Sequence, residues 1–283
     1  MKTNWIKMLA LLLAGLMAPA VSAAEITVKG SDTMVALAQK WAEIYSTQHP
    51  DVKIQVTGGG SGVGLAALES KQTDLANASR KIKAKEIEGC IKAFAARPKE
   101  YAVALDGLSV YVNAENPINE LSLEQLSSIF TGKVKNWKEL GGSDTPIVLY
   151  SRENSSGTYE FFREHVLKGQ DFASSAQTLQ GTAQIISAVT KDVKGIGYGG
   201  AGYGKGAKHL KVSKVAGEEA IEPSEENVLS GKYPISRSLY VYLNPAIDKD
   251  AIKAYLQWIR SDDGQKVVKE MGYFPLPPHL RKS

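Results

Sequence analysis

The chain has 283 residues, of which 43% are hydrophobic and 23% charged, the composition of a folded globular protein and not of a disordered or fibrous one. Its 34 basic and 30 acidic residues leave a formal net charge of +4 and are interspersed, which excludes the concentrated basic face of a nucleic-acid binder. A single cysteine, Cys90, excludes an internal disulfide.

The first element is a targeting segment. Lys2 and Lys7 precede an apolar run from Met8 to Met17, and Val21-Ser22-Ala23 places small residues ahead of Ala24, so residues 1–23 read as a cleavable secretory signal. The run is shorter than the roughly 20 apolar residues that span a bilayer. No cysteine stands near the cleavage point to carry a lipid, so a free periplasmic location is expected. Removal of the signal leaves about 260 residues with a charge of about +2, enough for two α/β lobes of ordinary size.

Short apolar strands then alternate with amphipathic helices. Glu25 to Lys29 reads as a strand, and Met34, Leu37, Ala38, Trp41 and Tyr45 recur at helical spacing until Pro50. A strand from Val52 to Thr57 runs into a glycine loop, Gly58 to Gly64, and a helix through Leu65 and Leu68. A strand from Asp74 to Ala78 runs into Ser79-Arg80, and the basic run Arg80 to Lys85 reads as solvated surface beyond its first residue. Leu108 to Val112 is a buried strand, and Ser122-Leu123-Glu124-Gln125 is a capping box opening a helix through Phe130. Ile147 to Tyr150 delivers Arg152 and the Ser155 to Thr158 cluster onto a helix from Tyr159 to Leu167. Thr182 heads a helix with Ile186 and Val189, followed by the strand Ile196 to Tyr198 and a mobile glycine-rich loop. A late strand, Leu239 to Leu243, is expected to pair with Leu108 to Val112, and helices over Ile252–Ile259 and Gln265–Met271 end the chain. This βαβ rhythm predicts doubly wound α/β sheets whose ligands lie beyond the carboxyl ends of the strands. No flexible tether separates the halves, so the chain is expected to cross between lobes through strands near Gly107 and Ser238.

Three stretches set hydroxyl and glycine residues just ahead of a helical pattern: Gly30-Ser31-Asp32-Thr33, Gly58 to Gly64 with Ser61, and Ser155-Ser156-Gly157-Thr158. Helix starts leave backbone N–H groups unpaired at the positive end of the dipole, and hydroxyls add donors, so each stretch is a potential anion cradle. Arg80, closing Asn77-Ala78-Ser79-Arg80, and Arg152 can each fork onto two oxygens. Three cradles meeting at one point would wrap a tetrahedral oxyanion and would recognise it without turning it over. Any one stretch has a plainer use: Ser31, Asp32 and Thr33 would cap a helix, the glycines would make a tight turn, and Arg152 would join a surface ion pair. Their recurrence together at strand ends is what capping does not require.

Other chemistries lack their context. Gly195 to Gly200 spells a dinucleotide fingerprint but continues into Ala201-Gly202-Tyr203-Gly204, where no helix starts. The glycine loop lacks the Gly-Lys-Ser/Thr ending of a nucleotide loop, and Val63 rules out a nucleophile elbow at Ser61. The four histidines, at 49, 165, 209 and 279, are scattered, so neither a metal site nor a cofactor is expected. A phosphohydrolase using Ser61 or Ser156 would need a base that the sequence does not supply.

Gly-Ser-Asp-Thr-Met before a helix, Gly-Gly-Gly-Ser-Gly-Val-Gly, Asn-Ala-Ser-Arg and Arg-Glu-Asn-Ser-Ser-Gly-Thr together resemble the phosphate-binding proteins of bacterial phosphate ABC transporters. The similarity extends through Lys194 to Tyr198 and Tyr233 to Arg237. It implies a type II periplasmic binding fold of two α/β lobes joined by two hinge strands, with residues 24–107 and 239–283 in one lobe and 108–238 in the other. It also implies a monomer that closes on inorganic phosphate and hands it to an inner-membrane permease. Carried over by position, Thr33, Met34, Ser61, Arg152, Ser156, Gly157 and Thr158 would contact the anion, with Ser31, Asp32, Ser79 and Arg80 completing the set. Arg80 takes the place where long members carry an aspartate that accepts the phosphate proton, which leaves Asp32 as the nearest candidate acceptor. Sulfate or molybdate is the alternative ligand.

Overall fold

The computed structural model describes residues 24–204, 206–247 and 249–281, so the expected signal over residues 1–23 lies outside the described residues. In chain order the first part contains β1 (Ala24–Gly30), α1 (Val35–Gln48), β2 (Val52–Thr57), α2 (Ser61–Glu69), β3 (Leu75–Ala78), α3 (Ala84–Phe94) and β4 (Lys99–Gly107). Strands β2, β1 and β3 lie parallel, as helical crossovers dictate. α1 buries Leu37, Ala38, Trp41, Ala42 and Tyr45 on one face, the face its 3.6-residue spacing predicts. Trp41 is 1% exposed, and its indole N–H donates to the Gly264 carbonyl at 2.8 Å, so a large apolar ring is buried with its polar atom satisfied.

The middle of the chain builds a second sheet. It comprises β5 (Ser109–Val112), β6 (Glu120–Ser122), α4 (Leu123–Phe130), β7 (Val148–Arg152), α5 (Gly157–His165), β8 (Gln177–Leu179), α6 (Thr182–Lys191), β9 (Gly195–Gly199), β10 (Lys208–His209), β11 (Lys211–Ser213) and α7 (Glu225–Leu229). Its strand order is β10-β5-β9-β7-β8, with β6 and β11 paired apart from it. The capping box at α4 forms as its spacing requires: Gln125 N–H donates to Ser122 Oγ, and Ser122 N–H donates to Gln125 Oε1.

The chain then returns through β12 (Ser236–Leu243) to α8 (Asp250–Arg260) and α9 (Asp262–Glu270). β12 lies antiparallel between β3 and β4, completing the order β2-β1-β3-β12-β4. This corrects the expected pairing of Leu239–Leu243 with Leu108–Val112: β5 has β9 on one side and β10 on the other. A short apolar run buried on both faces carries no period that names its partner, and here the partners are set by where the chain leaves the first sheet. It leaves between Gly107 and Ser109 and returns at Ser236, which pairs with Gly107, so the two connections run side by side. Each sheet packs its own apolar core, one around Trp41, Val103 and Ile252, the other around Phe130, Phe162 and Tyr198. Among the described residues no helix is long and apolar enough to cross a membrane.

Candidate anion-binding site

The three cradles follow β1, β2 and β7, Ser79-Arg80 follows β3, and the two sheets bring their carboxyl ends together. Thr33 Oγ1 lies 2.7 Å from Thr158 Oγ1, joining the start of α1 to the start of α5. Ser61 Oγ lies 3.4 Å from Ser79 Oγ and accepts the Ser79 N–H at 3.0 Å. Gly157 closes the ring. A methyl on its Cα would come within 2.3 Å of Ser61 Oγ and 2.8 Å of Ser79 Oγ, so only glycine lets α5 approach this closely. Gly60 has φ +93° and faces the Ser155 carbonyl, to which the neighbouring Gly62 N–H donates at 2.9 Å, a backbone bond between the two halves.

The plainer uses of the motifs divide between them. Ser156 does cap its helix: its Oγ accepts from Thr158 N at 3.2 Å and Tyr159 N at 3.3 Å. At α1 the residue in the cap position is Met34, whose side chain is fully buried in the first core and which makes no side-chain cap. Its backbone N–H donates to the Ser31 carbonyl at 2.9 Å. Neither Ser31 nor Asp32 caps that helix. Asp32 Oδ1 takes the Gly59 N–H and Oδ2 takes Arg152 Nη2, both at 2.8 Å.

The two arginines chosen from sequence part company. Arg152 is 1% exposed and donates Nη1 to Thr182 Oγ1 and Nη2 to Asp32 and the Gln180 carbonyl. Burial pulls its pKa down, and the Asp32 carboxylate opposes that pull. Arg80 forks onto Glu86, Nη1 to Oε2 at 2.8 Å and Nη2 to Oε1 at 2.6 Å, while Nη2 stays beside the glycine loop, 3.9 Å from where a Cβ on Gly62 would stand. Burial acting to lower its pKa is outweighed by the hydrogen bond and charge of Glu86, and the net shift is upward. The reason is local: Glu86 stands in the first turn of α3, where it also accepts the Lys83 N–H and so lies beside Arg80 whatever the ligand.

Sequence reasoning passed over a third arginine. Arg237 on β12 is buried and donates Nε and Nη2 to Asp106 Oδ2 at 2.9 and 2.8 Å, Nη1 to the Ser79 carbonyl at 2.9 Å, and Nη2 to Thr158 Oγ1 at 3.0 Å. Asp106 on β4 is fully buried, directly opposite Arg237 in the ladder, and its Oδ1 accepts the Ala201 N–H. Within the glycine-rich loop, Tyr203 donates its hydroxyl to the Asp32 carbonyl. An acid at the end of one apolar strand and a base at the start of another were the available signal.

Hydrogen-bond accounting defines what this arrangement can do. Ser31 Oγ and Arg152 Nε are buried with no partner. The Thr33–Thr158 pair uses one of its two hydroxyl hydrogens, and so does the Ser61–Ser79 pair, because one hydrogen spans each contact. Four buried donors on the cradles and on Arg152 are thus left unspent, and an unpaired buried donor costs about 1–3 kcal/mol. At the start of α5 the Gly157 N–H has no partner within the helix, the next two being taken by Ser156 Oγ. Among the described residues neither the Ser61 nor the Ser156 hydroxyl is hydrogen-bonded to a histidine or a carboxylate. Buried donors left unspent beside a buried arginine suit an oxyanion.

Comparison with known proteins accords with the fold. The model of the PBP superfamily domain matches residues 18–263. The phosphate-binding protein PstS of Pseudomonas aeruginosa is 36% identical over 264 residues, covering 88% of this chain and 82% of that protein. PstS of Staphylococcus aureus is 34% identical over 262 residues, with 90% and 79% covered. The structure of a substrate-binding protein from Clostridium perfringens with bound phosphate aligns with a TM-score of 0.82 at 30% identity, covering 89% of this chain and all of that one.

Proposed function

This chain belongs to the PBP superfamily, and from that premise we propose that it captures inorganic phosphate among the cradles and delivers it to an ABC-type phosphate importer. The observation that carries this reading is that four buried donors of the cradles and Arg152, Ser31 Oγ, Arg152 Nε and one hydroxyl hydrogen from each of two pairs, are unspent within the protein. A tetrahedral anion accepts all four. Several charge-assisted bonds to a buried anion support about micromolar or tighter affinity after the cost of closing the halves.

The rest of the reading follows from the family and the sequence. Residues 24–107 and 239–283 form one lobe and residues 108–238 the other, with the crossings near Gly107 and Ser236–Ser238 as hinge strands. The mature protein is periplasmic and monomeric, and its partner is the importer's inner-membrane permease. It binds without catalysis. The contact set is Ser31, Thr33, Ser61, Ser79, Arg152, Gly157 and Thr158, with Asp32 as proton acceptor and Ser156 and Met34 shaping the helix starts; Arg80 contributes through Glu86 and not by direct contact. A calorimetric titration of the mature chain tests this: phosphate gives a saturable one-to-one isotherm, and sulfate and molybdate give none at the same concentrations. Heat with sulfate and none with phosphate overturns the ligand, and release of phosphate from a chromogenic ester would overturn the absence of catalysis.

A further inference from the structure

Arg237 is the best-connected side chain at the cradles, and the direction of its bonds has a consequence. A guanidinium only donates, so the 3.0 Å contact from Nη2 makes Thr158 Oγ1 an acceptor. Thr158 Oγ1 is also 2.7 Å from Thr33 Oγ1. If Thr158 donates to Thr33, the Thr33 hydrogen is left over; if Thr33 donates to Thr158, the lone pairs of Thr158 are filled and its own hydrogen is left over. In both arrangements one O–H leaves the pair outward. Without Arg237, Thr158 would be free to turn its lone pairs toward the site and present an acceptor there. The arginine itself is held from three sides: Asp106 takes Nε and Nη2, the Ser79 carbonyl takes Nη1, and the Phe161 ring of α5 lies 5.3 Å from the guanidinium carbon.

Resting on the phosphate reading, we infer that Arg237, held by Asp106, is a positioning residue of the anion site: by donating to Thr158 it fixes the threonine pair that joins the two halves as a donor to the anion. Its place makes this economical. Arg237 and Asp106 face each other on β12 and β4, next to the two connections between the sheets, so the group that polarises the pair belongs to the part of the first sheet nearest the second. The fork also gives the role to arginine and not to lysine. A single ammonium on Asp106 has no second, fixed arm for Ser79 and Thr158.

A double-mutant cycle on phosphate affinity separates positioning from plain structural support. Phosphate is titrated into the mature parent, Arg237→Lys, Thr158→Ala and the double variant, with the phosphate-induced rise in Tm used for variants too weak for calorimetry. Arg237→Lys is expected to weaken binding about tenfold or more when Thr158 is present and by no more than about twofold when it is alanine, because the arginine acts through that hydroxyl. The same factor in both backgrounds, or no loss in either, overturns the inference. Should Arg237→Lys fail to fold, Arg237→Gln combined with Asp106→Asn removes both charges without stranding a carboxylate, and the same cycle run on that pair is expected to show the same dependence on Thr158. A parent that does not bind phosphate overturns the ligand reading and this inference with it, whereas a binding parent with an additive cycle overturns this inference alone.

Discussion

The start of α1 and the start of α5 look alike in sequence, Ser-Asp-Thr-Met against Ser-Ser-Gly-Thr, and do opposite things with their hydroxyls. At α5, Ser156 is spent on its own helix, accepting two backbone N–H groups. At α1, no side chain caps the helix; the Ser31 hydroxyl has no partner, and the Asp32 carboxylate reaches over to Gly59 and Arg152. The carbonyls of Asp32 and Thr33 are instead braced by the Tyr203 and Tyr273 hydroxyls, at 2.9 and 2.6 Å. A capped helix start is stabilised by its own sequence. An uncapped one is stabilised by the rest of the protein, which leaves its hydroxyls free for a ligand.

The largest effect expected across this contrast is at Arg152, which ties the α1 side to the β7 side. Arg152→Ala removes a buried cation with an unspent Nε–H and should weaken phosphate binding by about 2–5 kcal/mol. Arg80→Ala, whose fork is already on Glu86, should weaken it far less. Equal losses in a calorimetric comparison would mean that total positive charge, not the cradle, holds the anion.

Next comes Asp32, proposed above as the proton acceptor, within the uncapped start. Near neutral pH phosphate keeps a proton and sulfate does not, so a buried carboxylate accepts a bond from one and repels the other. Asp32→Asn should narrow the preference for phosphate over sulfate by about tenfold, roughly 1.4 kcal/mol. A variant that ignores sulfate as fully as the parent would place the acceptor elsewhere, and leave Asp32 only its bonds to Gly59 and Arg152.

Ser31 and Ser156 test the contrast directly. Ser156→Ala removes a working cap and should cost about 1 kcal/mol of stability, read as a lower midpoint in urea without ligand. Ser31→Ala removes a hydroxyl with no partner, so unliganded stability should hold while phosphate affinity falls. The reverse pattern would erase the distinction between the two starts.

What the sequence revealed of this site tracks what is local. The face of α1, the capping box at Ser122 and Gln125, and the position of every cradle after a strand are set within a few residues, where period and hydroxyl placement are legible. The partner of β12, the Arg237–Asp106 pair and the tether from Tyr203 to Asp32 join residues 131 and 171 positions apart in the last two cases, and nothing in a single sequence orders such pairs. Arg80 has a partner that is local and yet was not read from the sequence: Glu86, six residues on, brought round by the start of α3.

The smallest effect belongs to Lys83, in the basic run that reads as solvated surface. It is exposed, with 44% of its side chain open to solvent, yet its Nζ lies 2.7 Å from Glu160 Oε1 in the first turn of α5, so the run makes one ion pair between the two halves. Exposed pairs of this kind contribute about 0.2–1 kcal/mol and are screened by salt. If the halves close on the anion, as the phosphate reading has it, the pair is made on closure, so Lys83→Ala should weaken phosphate binding by a few-fold at most at low ionic strength. The difference should vanish near 1 M salt, where the Debye length is about 3 Å. Titrations at the two ionic strengths decide the matter. A loss that persists in high salt would mean that Lys83 is part of the cradle, and that the start of α5 binds through its neighbours instead of only capping itself and offering the Gly157 N–H.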